Sequence, residues 1–250
     1  MARYKLTLEY DGTNFAGWQR QEDGVTTVQG VLEQAIARFT GEQVTLHVAG
    51  RTDAGVHAVG QVAHGDLTRA DVTPETMRDA VNFHVRPHRV AVLAAEAVDE
   101  NFHARFSATA RAYRYVILNR RAPPVLDAAF VWHIQRPLDA AAMQMAASTL
   151  LGQHDFSTFR AQHCQAQSPV KTLDTLTVTR DGEKVIISAR ARSFLYHQVR
   201  NMVGTLALIG QGQWSQEDFI RAFAACDRTQ GGPTAPAQGL CFLGPTYGCG

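Results

Sequence analysis

Val44-Thr-Leu-His-Val-Ala-Gly-Arg-Thr-Asp-Ala-Gly-Val-His-Ala-Val-Gly-Gln-Val-Ala-His64 reads as a strand, a loop and a strand. Val44, Leu46 and Val48 alternate with Thr45 and His47, the period of a half-buried strand. Residues 61–64 read as a second short strand, which leaves 50–60 as the loop at the end of the first. Glycines at 50, 55 and 60 let that loop turn sharply. Inside it a carboxylate, Asp53, stands two residues from a guanidinium, Arg51. An acid and a base on a rigid strand-end loop are one way to build a site. Asp-Ala-Gly is equally ordinary turn chemistry, with the Asp side chain bonding its own backbone.

Working outward toward the N-terminus, residues 3–10 alternate as a first strand. Thr26-x-x-Gln29 reads as a capping box, and Val28, Val31, Leu32, Ala35, Ile36 and Phe39 follow helical spacing to a stop at Gly41. Beyond the loop, Thr73-Pro-Glu opens a second helix, with Pro in its first turn, and residues 90–98 make another strand. The order is β-α-β-β-α-β. The second half repeats it approximately. Residues 111–119 alternate as a strand, and 138–151 read as a helix. The stretches 173–179 and 184–192 flank Asp181-Gly182, a strong hairpin signal. Residues 195–209 form a long apolar helix, Ser215-x-x-Asp218 starts another ending near Cys226, and 240–247 return as a last strand. Two such halves predict an α+β fold of two ferredoxin-like domains, 1–106 and 107–250.

The chain has 250 residues and no apolar run near the ~20 needed to span a membrane. The N-terminal residues run straight into a strand pattern, without the pattern of a signal peptide. Cys164, Cys226, Cys241 and Cys249 are scattered, which predicts free thiols in a reducing cytoplasm. His163-Cys164 has no second ligand pair at zinc spacing, and no phosphate loop or dinucleotide fingerprint is present, so no metal or cofactor is expected. Net charge is only +1, yet 21 of the 24 basic residues are arginine. Residues 101–126 hold five arginines and no acid; 184–216 hold four basic residues and no acid. Arginine pairs phosphate through a planar fork. One-signed blocks in a near-neutral chain fit either a basic nucleic-acid stripe or solvated strand and helix faces.

The 50–58 stretch, Gly-Arg-Thr-Asp-Ala-Gly-Val-His-Ala, followed by Gly60-Gln-Val62, resembles the catalytic loop of the tRNA pseudouridine synthase A (TruA) family. Five further stretches keep that family's order. They are Tyr10-Asp-Gly-Thr-Asn-Phe-Ala-Gly-Trp-Gln19, Phe102-His-Ala-Arg-Phe-Ser-Ala-Thr109, Tyr113-Arg-Tyr115, Val199-Arg-Asn-Met-Val-Gly204 and Gly232-Pro-Thr-Ala-Pro-Ala-Gln-Gly-Leu240. The departures are small. Gly65 follows His64 where the family usually has an aromatic, Val81-Asn-Phe-His-Val-Arg-Pro87 is a looser match, and Cys241 replaces another aromatic.

The resemblance implies two ferredoxin-like domains sharing a central antiparallel sheet, with an active-site cleft between them. It implies conversion of uridine to pseudouridine at positions 38, 39 and 40 of the tRNA anticodon arm, with no cofactor, by a homodimer in which one tRNA touches both subunits. It makes Asp53 the nucleophile and Arg200 its basic partner. Tyr113 becomes the tyrosine that stacks on the extruded base, against the alternative of a core strand tyrosine. Arg51 fills the space the base leaves, against the alternative of a surface arginine on a phosphate. His57 is read as a structural hydrogen-bonding group. Two rivals stay open: a synthase for other tRNA positions or another RNA, and a non-catalytic RNA-binding relative.

Overall fold

The computed structural model describes residues 1–22, 24–69 and 71–248. Among these, the strands are β1 (Ala2–Tyr10), β2 (His47–Val48), β3 (His57–Leu67), β4 (Val90–Val98), β5 (Ala108–Asn119), β6 (Trp132–Ile134), β7 (Gly152–Asp155), β8 (Val170–Asp181), β9 (Lys184–Ala191) and β10 (Leu240–Tyr247). The helices are α1 (Val28–Thr40), α2 (Pro74–His84), α3 (Ala140–Ser148), α4 (Gln198–Gly210) and α5 (Gln216–Ala224). The fold is α+β with mainly antiparallel strand pairing, as the patterning predicts.

The chain forms two compact units, Met1–Arg111 together with the segment from Cys241, and Ala112–Leu240. The division differs from a single cut after residue 106. β10 returns to the first unit because it runs parallel beside β3, with Cys241 opposite His57 and Phe242 opposite Ala58. The approach is close enough that a Cβ on Gly60 would collide with the Leu243 carbonyl.

In the first unit the order β1-α1-β2-β3-α2-β4 matches the expectation. β1 lies between β3 and β4, antiparallel to both, and buries Leu6 and Leu8. Its full length sets the length of β3: Ala2 pairs Leu67 and Tyr10 pairs Ala58, so β3 extends well beyond the short strand read at 61–64. β2 is shorter than its alternation suggested. The Leu46 amide donates to the Glu33 carboxylate (2.9 Å) and its carbonyl accepts from Gln29 Nε2 (3.3 Å), so the ladder begins only at His47. α1 is capped by Thr27, whose Oγ1 accepts from Gly30 N at 3.2 Å, and not by a Thr26–Gln29 box. Gln29 is instead buried, accepting from Arg20 N (2.9 Å) and donating to Glu33 (2.8 Å). Gly41 ends the helix at φ 77° and Thr73-Pro74 opens α2, both as predicted.

In the second unit β8 and β9 form the predicted hairpin, turning at Gly182 with φ 54°. Ser215 and Asp218 make a reciprocal capping box at the start of α5. β6 and β7 are too short to show a period in the sequence. α4 is buried nearly all round, which explains its unbroken apolar run.

His64, on β3, illustrates what burial costs in this unit. Its Nδ1 accepts from Ala104 N at 3.2 Å, and burial, reinforced by the charges of His103, Arg3 and His47, lowers its pKa to about 4 against a weaker pull from Asp66. The unfolded chain binds that proton near pH ~6.5, so between about 6.5 and 4 the unfolded state takes up more protons. Stability from this residue is therefore intact above about pH 6.5 and falls as the solution is acidified, by up to about 2–3 kcal/mol. Urea unfolding across that range should show the slope. His64→Asn, whose amide oxygen can still take the Ala104 N–H, should flatten it.

Candidate functional site

Asp53 sits in a loop whose backbone is gripped from both sides within the first unit. The chain leaving β1 folds over it. Trp18 N donates to Thr52 O (3.0 Å), Gly55 N to Phe15 O (3.3 Å) and Val56 N to Asp53 O (3.1 Å). The crossing is too tight for side chains. A Cβ on Gly12 would overlap the Val56 carbonyl, and Gly17, at φ 98°, would place one 2.8 Å from Thr52 O. The 10–19 and 50–58 stretches are thus one structure, in which the second can lie against the first only because Gly12 and Gly17 carry no side chain.

A buried polar cluster locks the loop from below. Tyr10 Oη and Thr52 Oγ1 lie 2.7 Å apart, and Gln61 Nε2 donates to Gly50 O (2.8 Å) and to Tyr10 Oη (3.3 Å). Burial pushes the Tyr10 phenol up to about 12, against the hydrogen bonds from Thr52 and Gln61, so it stays neutral and can bridge both. Phe15 and Trp18 flank the Tyr10 ring at 6.4 and 6.2 Å. The loop then alternates outward and inward: Arg51 exposed, Thr52 buried, Asp53 half-buried. Sequence reading missed Tyr10, Thr52 and Gln61 as supports. Their one trace in the sequence is that all three are polar residues inside the quoted stretches.

His57 takes the structural part expected of it. Its Nδ1 accepts from Gly12 N at 3.0 Å, and Asp11 Oδ1 lies 3.2 Å from the same atom. Burial pushes the Asp11 carboxyl up, but the Thr13 hydroxyl and amide, with His57 and Arg89, outweigh it and hold it below its ordinary value.

The second unit carries Tyr113 and Arg200. Tyr113 is half-buried on β5, edge-to-face with Phe194 at 5.2 Å. Tyr115, two residues on and so on the same face, is fully buried and donates to Pro236 O at 2.7 Å. Arg200 is the third residue of α4; its Nε donates to Ala235 O at 2.8 Å, and Ala235 N donates back to Arg200 O at 3.1 Å. Burial raises the Tyr115 pKa strongly and the Arg200 charge opposes it, which places that guanidinium in the phenol's field. The 232–236 segment can lie on α4 because Gly204 has no Cβ to strike Pro233 O. Among the described residues no group of three or more His, Cys, Asp or Glu is placed to hold a metal ion, and no helix is long and apolar enough to cross a membrane.

Comparison with known proteins matches the family model described as tRNA pseudouridine synthase to residues 7–107 and 146–248. The chain belongs to the tRNA pseudouridine synthase family. The tRNA pseudouridine synthase A of Paramagnetospirillum magneticum is 61% identical over 247 residues, covering 99% of this chain and 96% of that one. The enzyme of the same name from Rhodospirillum centenum is also 61% identical, covering 99% and 100%. A crystal structure of a Cbf5-Nop10-Gar1 complex covers 82% of this chain and 45% of that one at 10% identity and TM-score 0.37, too low to add to the fold. In this synthase the first matched segment contains Arg51 and Asp53, and the second contains Arg200. Tyr113 falls between the two, within the reach of the near full-length relatives.

Proposed function

We propose that this synthase isomerises uridine to pseudouridine in tRNA, with Asp53 as nucleophile. The observation that carries the reading is the Asp53 loop itself: its main chain is clamped by the 10–19 segment and by the Tyr10–Thr52–Gln61 cluster. In the reaction the N-glycosidic bond breaks, the uracil turns, and a C–C glycosidic bond forms. Substrate and product are isomers, so no electron carrier or energy donor enters the balance. One ionised carboxylate within reach of the sugar and the base meets the need, as in retaining glycosidases. Arg200 supplies the positive charge that keeps the carboxylate ionised in a dry site. Tyr113 stacks on the uracil once it leaves the helix, and Arg51 takes its vacated place. The target uridines lie in the anticodon arm, the enzyme acts in the cytoplasm, and one tRNA engages both subunits of a homodimer. Support for these assignments comes from the ordered stretches shared with the family.

The test is to react purified protein with unmodified tRNA transcripts and map pseudouridine by base-specific modification and primer extension. Product confined to positions 38, 39 and 40 supports the reading; product elsewhere moves the substrate, and none removes the activity. The same reaction should proceed at full rate after exhaustive treatment with EDTA and without added nucleotide. Loss on chelation that one divalent ion restores, with prefolded tRNA, would contradict a cofactor-free mechanism.

A further inference from the structure

The segment 102–107 uses its two phenylalanines in opposite ways. Phe102 packs inward against Tyr247 (ring centroids 5.2 Å apart) and the buried cluster of Ala49, Val62 and Ala104. Phe106 is 75% exposed. It is nevertheless held in place. His103 Nδ1 accepts from both Arg105 N (3.1 Å) and Phe106 N (3.3 Å), while His103 N donates to Ser107 Oγ (3.0 Å) and Ser107 N to His103 O (2.9 Å). The His103 ring lies 4.3 Å from that of Phe106, and the Arg105 guanidinium stands over the same ring at 5.7 Å. Both ring contacts leave three-quarters of Phe106 open. Phe106 is thus an exposed aromatic on a hydrogen-bonded turn, with one face toward His103 and a cation beside it.

Two cations belong to the turn, Arg105 on it and Arg111 bonded to it, and among the described residues no carboxylate pairs with Arg105. The turn is also tied to the catalytic loop. The Arg111 guanidinium donates to Arg105 O (2.5 Å) and, through Nε and Nη2, to Ala49 O (3.1 and 2.9 Å). Ala49 is the residue immediately before the loop that carries Asp53. One side chain therefore fixes the turn and the loop's root at a set distance.

We propose that the 103–106 turn is an RNA-contact site, in which Phe106 is a stacking platform for an unpaired base and Arg105 the cation for a neighbouring phosphate. The inference rests on the reading of tRNA as substrate and adds a positioning contact outside the catalytic loop. Aromatic stacking suits single-stranded nucleotides because every base has a π-face. Arg111 would hold such a base in fixed register with Asp53.

The experiment measures binding of an unmodified tRNA transcript by fluorescence anisotropy, and single-turnover rates against enzyme concentration, for the parent, Phe106→Ala, Phe106→Trp and Arg105→Ala. Phe106→Ala should weaken binding about tenfold, with the saturated rate and the melting temperature unchanged. Phe106→Trp, which keeps a π-face, should restore parental affinity. Arg105→Ala should lessen the slope of log affinity against log salt by about one. Parental affinity in Phe106→Ala, or a loss that Phe106→Trp leaves in place, overturns the proposal. Because binding is read apart from chemistry, a parent that binds tRNA but makes no pseudouridine would refute the activity and leave the platform's test intact.

Discussion

Asp53→Asn should yield a protein that folds, binds tRNA and does no chemistry. Turnover should fall by at least about 10⁴-fold, the scale on which removing a nucleophile acts. The fold should tolerate the change because the bonds that shape the loop use main-chain groups, Trp18 N to Thr52 O and Val56 N to Asp53 O, and the Thr52 side chain. Affinity should change little, since phosphate contacts supply most of it. Single-turnover assays on protein free of parental carry-over and of deamidated Asn, set beside tRNA titrations, make the measurement. Turnover above background in that preparation would take the nucleophile's part away from Asp53. A matched loss of affinity would assign the residue to binding.

Arg200→Ala separates two parts for a single side chain. If Arg200 partners Asp53, its removal leaves a carboxylate without its cation, and an unpaired buried charge is costly. A carboxylate in that position keeps its proton to higher pH. The saturated single-turnover rate should then be low at neutral pH and climb with alkalinity, where the parent is already level. A 100-fold or greater deficit at pH 7, about 2.7 kcal/mol, is the expected size. Arg200→Lys should keep part of the rate, having the charge without the fork. If Arg200 instead contacts a phosphate, the saturated rate and its pH profile should match the parent while the salt slope lessens by about one. The hydrogen bond from Nε to Ala235 O gives a structural control. A variant that merely loosened the 232–236 segment would lose thermal stability in both the Ala and the Lys forms.

Much of the fold was legible because local rules and tertiary packing agree over most of the chain. The Asp181-Gly182 hairpin, the Ser215–Asp218 box and the Gly41 stop are decided within a few residues, and the structure keeps all three. Where the reading missed, a distant partner decided. Thr26–Gln29 looked like a cap, but Gln29 is engaged by Arg20, Glu33 and Leu46, and Thr27 caps in its place. The 44–48 alternation promised five strand residues and gave two, because Glu33 captures the Leu46 amide from α1. β3 extends at both ends because β1 pairs with it, a length no local pattern on β3 records. Arg51 and Asp53 stood out because their loop is glycine-rich. Tyr10, Thr52 and Gln61, which hold that loop, did not, since a buried hydrogen-bond cluster has no periodicity and its members are far apart in sequence.

The return of β10 to the first unit has a consequence for how each copy is made. β3 emerges from the ribosome early, with the Asp53 loop at its head, but its neighbour on one side cannot exist until the whole of Ala112–Leu240 has been translated. At about 5–20 residues per second, the His57–Ala58 end of β3 waits roughly 10–40 s for the strand that pairs with it. Synthesis therefore delivers the second unit while the first is still unfinished, and the loop's own strand gains β10 only after that unit. A message broken before the codon for Leu240 encodes every residue of the Asp53 loop, yet its product leaves the His57–Ala58 end of β3, beyond the part that β2 pairs, open to the edges of other nascent chains.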